Sequence, residues 1–387
     1  MLADRLKEIK PFRVMEVLAR AGELEAAGRD VLHFEVGEPD FPTAQPVKDA
    51  GVKAIESGFT KYTEATGIFE LRQEIANYYA NIGVVVDPRQ VVVTSGASGG
   101  LIMLSALVLN PGDEMLITDP GYPCNEVFVH LCGGVPRPLT VGPNTRFQPT
   151  GEDVQAAWTA KTRGVLLASP GNPTGTSIAP EELKKITEVV RDRSGFIILD
   201  EIYHGIRHSG PITTGLEVDS ELFVLNSFSK YFGMTGWRLG WVVVPTEYVG
   251  AATKLCQNLF ICPSTPSQHA ALAAFGDEAT AINEARVEAF GRRCRTLYDG
   301  LCALGFQVPV YPDGAFYLYV DVSHTGLQSQ EFCRRLLDEF YVAVTPGADF
   351  GSHLSDKYVR FAFTTSDEAI EKGLARITEA LEAWGIG

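Results

Sequence analysis

Short apolar runs, each closed by a turn signal, recur along most of this chain: Val91–Thr94, Glu114–Thr118, Gly164–Ala168, Phe196–Leu199, Leu222–Asn226 and Leu239–Val244. A strand wetted on one face alternates apolar and polar residues, whereas an almost continuous apolar run requires cover on both faces. Helical patterns stand between several of the runs, at Leu101–Leu109, Pro180–Arg191 and Pro123–Cys132. This alternation predicts an α/β domain with a mainly parallel sheet.

The two ends read differently. Ile9, Phe12, Met15, Val17, Leu18, Ala21 and Leu24 form a rough helical stripe from Leu6 to a stop signal at Gly28. The run Val31–Val36 follows, then the turn-rich G-E-P-D-F-P from Gly37 to Pro42. Beyond a long helical stretch at Ala279–Leu304, strand-like Ala315–Val320 and Tyr358–Thr364 mix with helical Phe332–Phe340 and Ala369–Trp384. At 387 residues the chain exceeds the size at which one core usually stops growing. The expected division is an N-terminal segment, 1–45, that joins a small α+β domain at 286–387, with a large domain at 46–285 between them.

Composition excludes several classes. Hydrophobic residues make up 45%, and no apolar run is long enough to span a bilayer. The start lacks a secretory apolar stretch, so a cytoplasmic enzyme is expected. A formal charge of −15 and the absence of a basic cluster argue against a nucleic-acid surface. The seven cysteines form no C-x-x-C pair, and the seven histidines show no ligand spacing, so neither a disulfide framework nor a metal site is expected.

Three strand ends carry candidate chemistry. In V-V-V-T-S-G-A-S-G-G-L, Val91–Leu101, a strand enters a Gly/Ser turn and then a helix, whose N-terminal N–H groups can seat an anion. The same pattern also serves as a plain tight turn. It is neither a P-loop nor a dinucleotide fingerprint. In F-I-I-L-D-E-I-Y, Phe196–Tyr203, Asp200 arrives at the edge of the sheet where ligands bind, although a helix N-cap would use the same residue. In V-L-N-S-F-S-K, Val224–Lys230, a strand ends in a lysine, which desolvation or nearby positive charge would turn into an amine nucleophile. Arg238 in G-W-R-L-G offers a second cation. A phosphate cradle, an amine and an acid are the groups that pyridoxal phosphate requires.

With these pieces together, the chain resembles the fold-type I, class I/II aminotransferases of the aspartate aminotransferase superfamily over nearly its whole length. The resemblance rests on S-F-S-K-Y-F-G-M-T-G-W-R-L-G at Ser227–Gly240, S-P-G-N-P-T-G at Ser169–Gly175 and L-D-E-I-Y at Leu199–Tyr203. It implies a sheet of the seven-stranded type and pyridoxal 5'-phosphate as cofactor, bound through a Schiff base on Lys230. Lys230 would also shuttle the proton, Asp200 would pair with the pyridine nitrogen, and Tyr203 and Asn172 would bond the phenolic oxygen. The phosphate would sit on Ala97, Ser98 and Gly99, with the Ser98 and Ser227 hydroxyls and Arg238. Tyr122 would stack on the ring, and Tyr62 would reach the phosphate of a neighbouring subunit in a homodimer with shared sites. Arg360, in Y-V-R-F-A-F, would bind the substrate α-carboxylate, helped by Asn172 and the backbone of Gly37; Phe316 would line the cleft.

The implied activity is transamination between an L-amino acid and a 2-oxo acid. A carbon–sulfur β-lyase or an aminocyclopropane-carboxylate synthase-like lyase shares these motifs and stays open. A ligand-sensing regulatory module would need a DNA-binding domain, and only 36 residues precede Gly37. No residue in a recognisable motif reads a distal carboxylate, so the amino donor is not named by the sequence.

Overall fold

The computed structural model describes residues 2–9, 11, 13–210 and 213–386. Phe12, counted above in the N-terminal stripe, lies outside them, as do Met1 and Gly387 at the ends of the expected segments. Helix α1 runs from Arg13 to Ala26, preceded by a single 3-10 turn at Asp4–Lys7. The helix expected from Leu6 therefore starts later. Pro11 accounts for this: it has no backbone N–H to give to a helix. Gly28 ends the segment as expected, with φ of 81° and its N–H on the Glu25 carbonyl at 2.9 Å.

The short strand β1 (Leu32–His33) comes next, followed by β2 (Val91–Thr94), β3 (Glu114–Asp119), β4 (Val135–Thr140), β5 (Thr162–Ala168), β6 (Phe196–Asp200), β7 (Phe223–Ser227) and β8 (Gly240–Val243). Strands β2 to β8 form one seven-stranded sheet in the order β2-β8-β7-β6-β5-β3-β4. All its pairings are parallel except those of β8, which runs antiparallel to both β2 and β7. Successive side chains of a strand point to opposite faces, and here each face meets its own core. Val91, Val93, Leu116, Val165, Leu167, Ile197, Leu199 and Val224 belong to one cluster. Val92, Met115, Ile117, Leu166, Ile198, Phe223 and Leu225 belong to the other. This is why the runs are apolar without alternation.

Strands β9 (Tyr317–Asp321), β10 (Val342–Ala343), β11 (Thr345–Pro346) and β12 (Tyr358–Ala362) complete the chain. They form an antiparallel sheet, β11-β12-β9, and a parallel pair in which Leu32 of β1 faces Val342 of β10. A separate core gathers here, holding Leu32 and Phe34 from the N-terminal segment with Leu318, Val320, Phe332 and Phe361. The long helix Asp277–Ala303 bridges the two bodies: Ala279 packs on the large sheet, and Phe290, Cys294 and Leu297 pack in the smaller core.

Candidate active site

Parallel strands deliver their C-terminal ends to one edge of the sheet, and a crevice forms there. The residues just past β2, β3, β5, β6 and β7 meet at this edge around a cavity of about 300 Å³. Strand β8 runs the other way, so the residue ahead of its start, Arg238, reaches the same edge. The cavity wall holds Ala97, Ser98, Tyr122, Asn172, Asp200 and Tyr203. It also holds Lys230, Arg238, Gly37 and Arg360. These ten of the thirteen expected site residues come together although they span the chain from 37 to 360.

The helix Gly96–Val108 points its N-terminus into the cavity, and Ser95 gives it no side-chain cap. Its first N–H groups are therefore free of the usual side-chain partner. Gly96 has φ of 71°, and a Cβ there would stand 2.7 Å from Arg238 Nη2. Arg238 Nη1 donates to the Thr235 carbonyl at 3.1 Å, which fixes the guanidinium beside the helix end.

Asp200, the last residue of β6, is buried, and its Oδ1 accepts the Ile202 N–H at 2.9 Å. Burial raises its carboxyl to about 7, against the opposing pull of that hydrogen bond and of the Lys230 charge. Lys230 Nζ donates to the Gly37 carbonyl at 2.6 Å. Burial lowers this amine to about 8, with the Arg360 and Arg238 charges acting the same way and Glu38 and Asp200 opposing. The residue as a whole is half-buried, yet its amine is deep in the wall. A buried acid and a buried amine, each shifted toward neutrality, mark a candidate catalytic site.

Arg360, in β12, is 4% exposed. Its Nη1 donates to Asn172 Oδ1 at 3.0 Å, and its Nη2 reaches Thr345 Oγ1 at 3.3 Å and the Glu35 carbonyl. The rings of Tyr317 and Phe350 lie 4.5 and 4.8 Å from its Cζ. Among the described residues no carboxylate forms an ion pair with it, and its buried Nε has no partner. A buried cation without a counter-ion is costly, so this arginine is suited to an anionic ligand.

Three expected residues stand elsewhere. Gly99 follows Ser98 in the helix but is buried behind the wall. Ser227 is buried too, and its hydroxyl is committed to Ser229 Oγ at 3.0 Å and the Leu239 carbonyl at 3.2 Å. Ser229, two residues on, is the one on the wall. Tyr62 is 80% exposed and does not line this cavity. Phe316 is likewise turned from the cleft: it is fully buried in the smaller core, 5.8 Å from Lys230 Nζ, and its neighbour Tyr317 lines the cavity.

Sequence reasoning also missed Val14, Met15 and Leu18 of α1, which line the cavity, and Glu35 and Glu38 beside Gly37. The apolar stripe of α1 was visible in the sequence, but nothing in it says that part of the stripe faces a cavity. Among the described residues no group of acidic, histidine or cysteine side chains is placed to hold a metal ion. None of the described helices is long and apolar enough to cross a membrane.

Residues 29–377 match the family of class I and II aminotransferases. The chain is 37% identical over 385 residues to (5-formylfuran-3-yl)methyl phosphate transaminase of Methanocaldococcus jannaschii, covering 98% of this chain and 100% of that protein. It is 38% identical to the valine–pyruvate aminotransferase of Mycobacterium tuberculosis, covering 95% of this chain and 96% of the relative. The fold superposes on aspartate aminotransferase of Thermus thermophilus, solved with maleate, with a TM-score of 0.93, at 34% identity and covering 98% and 100% of the two chains. With the seven-stranded sheet, the strand-end lysine and this likeness in place, the chain is an amino-group transferase and belongs to the class I and II aminotransferases, a family whose members use pyridoxal phosphate to move an amino group between an amino acid and a 2-oxo acid.

Proposed function

We propose that the cavity holds pyridoxal 5'-phosphate on Lys230 and that the amino group is transferred there. The observation that carries the reading is the meeting of a buried amine, a buried carboxylate and an uncapped helix N-terminus on one wall. Each fits a different part of the cofactor. The N–H groups at Ala97 and Ser98 in the uncapped first turn, with the Ser98 hydroxyl and Arg238, suit the phosphate. The contact that a Cβ at Gly96 would make with Arg238 supports a cradle kept open for that phosphate. Asp200 suits the protonated ring nitrogen, and Tyr122 suits the ring face. When bound, the cofactor supplies a conjugated electron sink for the bond broken at the substrate α-carbon.

The chain's own groups then divide the work. Lys230 Nζ is the group placed to take the proton from the substrate α-carbon and would carry it onward. Its lowered pKa favours the neutral amine that this needs. Asp200 would hold the ring nitrogen of the bound cofactor in its charged form. Tyr203, whose hydroxyl pairs with that of Tyr317 at 2.8 Å, would donate to the phenolic oxygen. The Asn172 carbonyl is engaged by Arg360, which leaves its amide N–H groups for the same oxygen. Arg360 binds the α-carboxylate through its fork, with Asn172 and the Gly37 backbone alongside. Ser227 braces the loop below Ser229.

The exposure of Tyr62 supports its use by a second copy, in a cytoplasmic homodimer with shared sites. The separate cores support a division into 1–45, 46–285 and 286–387, with the last boundary inside the helix Asp277–Ala303 and the first segment joining the smaller body. The relatives' names span valine–pyruvate, aspartate and a furan phosphate, and so leave the donor to be read from the cavity.

The test is an absorbance spectrum of the purified protein, followed by a panel of amino acids. A visible or near-ultraviolet band that shifts with particular donors and returns with a 2-oxo acid is expected. Protein that stays colourless after incubation with pyridoxal phosphate overturns the reading.

A further inference from the structure

Asp119, the last residue of β3, is 7% exposed and has no part in the roles above. Its carboxylate meets a loop of the smaller body that begins 233 residues further on in sequence. Both oxygens accept the Ser352 N–H at 3.1 Å and the His353 N–H at 3.1 and 3.2 Å. Oδ2 also accepts the Ser352 hydroxyl at 2.9 Å. Consecutive backbone N–H groups make a concave seat for an anion, and hydrogen bonds to a charged acceptor are the strong ones. Gly351 leaves room for this contact: its φ is 148°, and a Cβ there would stand 1.9 Å from Asp119 Oδ1.

The same loop reaches the arginine of the site. The Phe350 carbonyl accepts the Gly121 N–H at 2.8 Å, and the Phe350 N–H donates to the Gly347 carbonyl at 2.9 Å. Phe350 is 3% exposed, and its ring is the one that lies 4.8 Å from Arg360 Cζ. One residue earlier, Asp349 Oδ1 accepts the Arg13 N–H of α1 at 2.8 Å. Residues 349–353 are thus tied to α1, to the end of β3 and to the turn after it, and they carry a ring against Arg360. The ends of the Arg360 fork are bonded to Asn172, Thr345 and the Glu35 carbonyl. The Tyr317 and Phe350 rings complete the seat by contact with the guanidinium.

We propose that Asp119 is a positioning residue for substrate binding. By clamping the loop it holds Phe350 against Arg360, and so holds the guanidinium at the angle that receives the substrate carboxylate. The inference rests on the proposed function, in which Arg360 takes that carboxylate. A planar fork makes two parallel bonds only when it is aligned with its ligand. A misplacement on the order of 1 Å at an orienting group can cost about 100-fold. Asp119 acts here through Phe350 and Arg360, without touching substrate or cofactor.

The test uses the cofactor-loaded full chain and two reagents that condense at the cofactor aldehyde carbon: aminooxyacetate, which carries a carboxylate, and methoxyamine, which carries none. Absorbance follows both reactions, and the ratio of their rates reads carboxylate recognition alone. The unaltered protein is expected to prefer aminooxyacetate by at least about tenfold. In Asp119→Ala the preference is expected to fall below about twofold, while the methoxyamine rate and the affinity for pyridoxal phosphate change little. Asp119→Asn keeps one accepting oxygen and should recover part of the preference. Ser352→Ala leaves both backbone bonds and should lose less than Asp119→Ala. A preference undiminished in Asp119→Ala overturns this inference and leaves the transaminase reading standing. If circular dichroism shows Asp119→Ala unfolded, an undiminished preference in both Asp119→Asn and Ser352→Ala overturns it in the same way. Equal losses with both reagents would assign Asp119 to general stability and also overturn it. No preference in the unaltered protein removes Arg360 from the site and this inference with it. Unaltered protein with no cofactor spectrum to follow overturns the proposed function itself.

Discussion

Lys230 Nζ and the Gly37 carbonyl lie 2.6 Å apart, although 193 residues separate them in sequence. The bond ties the strand-end amine to the N-terminal segment and fixes the direction of one of its protons. Burial meanwhile brings the amine down to about 8. Condensation with an aldehyde needs the neutral amine. The rate at which cofactor-free protein captures pyridoxal phosphate should therefore rise about tenfold per pH unit below pH 8 and level off above it. Stopped-flow absorbance measures this; a rise that continued to pH 10 would show an ordinary, solvated lysine.

Replacing the amine itself is the sharper test. Lys230→Ala should lower turnover by more than about 100-fold, the lower end of what a placed proton carrier contributes. The protein should remain folded, because the side chain ends in the cavity and not in a core. A circular dichroism spectrum of wild-type shape, combined with near wild-type turnover, would mean that another lysine does the chemistry.

Arg360 offers a separation of substrate from cofactor. Each charge-assisted hydrogen bond to a carboxylate is worth about 1.5–3 kcal/mol. Arg360→Ala should raise half-saturation for every amino donor by at least about tenfold, while cofactor affinity changes little. Arg360→Lys keeps the charge but loses the planar fork, and should recover only part of the binding. Unaltered half-saturation in both variants would remove this arginine from the substrate site.

Gly37 is held to glycine by the Tyr317 hydroxyl. A Cβ at position 37 would fall 2.2 Å from that oxygen. Gly37→Ala should displace Tyr317, disturb its 2.8 Å bond with Tyr203 and cost about 1–3 kcal/mol of stability. Adding Tyr317→Phe removes the clashing oxygen. The double variant should therefore lose less than the sum of the two single ones, read by denaturant unfolding. Simple additivity would place the strain somewhere else.

His33 sets a pH dependence outside the cavity chemistry. Its Nδ1 pairs with Glu35 Oε1 at 2.7 Å and its Nε2 with Glu25 Oε1 at 3.2 Å. The Glu35 bond is the main cause that raises the imidazole to about 9, with burial opposing and Glu25 adding to it. A folded-state pKa above the unfolded value stabilises the native form below about pH 6.5, and that stability disappears as pH rises through 9. His33→Gln should lower the melting midpoint by on the order of 2 °C at pH 6, a figure discounted because the ring is partly in water. The two proteins should converge near pH 10. An equal deficit at both pH values would assign the effect to packing instead of charge.

Much of the large sheet was legible because burial on both faces writes itself as an unbroken apolar run, as at Val91–Thr94 and Gly164–Ala168. Strand β4 was not, since V-P-R-P-L-T carries two prolines and is mostly exposed; an edge strand tolerates both. Strand-end residues such as Asp200 and Lys230 could be read because their position follows from where a run stops. Tyr317 against Phe316 could not, because both are buried aromatics at the turn into β9 and only the fold shows which of them borders the cavity. Ser229 against Ser227 failed for a related reason. Both hydroxyls lie near the phosphate seat in sequence and are bonded to each other, and only the fold shows that Ser229 is the one on the cavity wall.

The pairing of β1 with β10 has a consequence during synthesis. Leu32 leaves the ribosome long before Val342, its partner in the parallel pair. At about 5–20 residues per second the delay is roughly 15–60 s. Through that interval the large sheet can assemble while Leu32 and Phe34, destined for the smaller core, stay unsheltered. The nascent enzyme therefore carries a sticky N-terminal strand until translation is nearly finished, and this is the stretch a holding chaperone would cover.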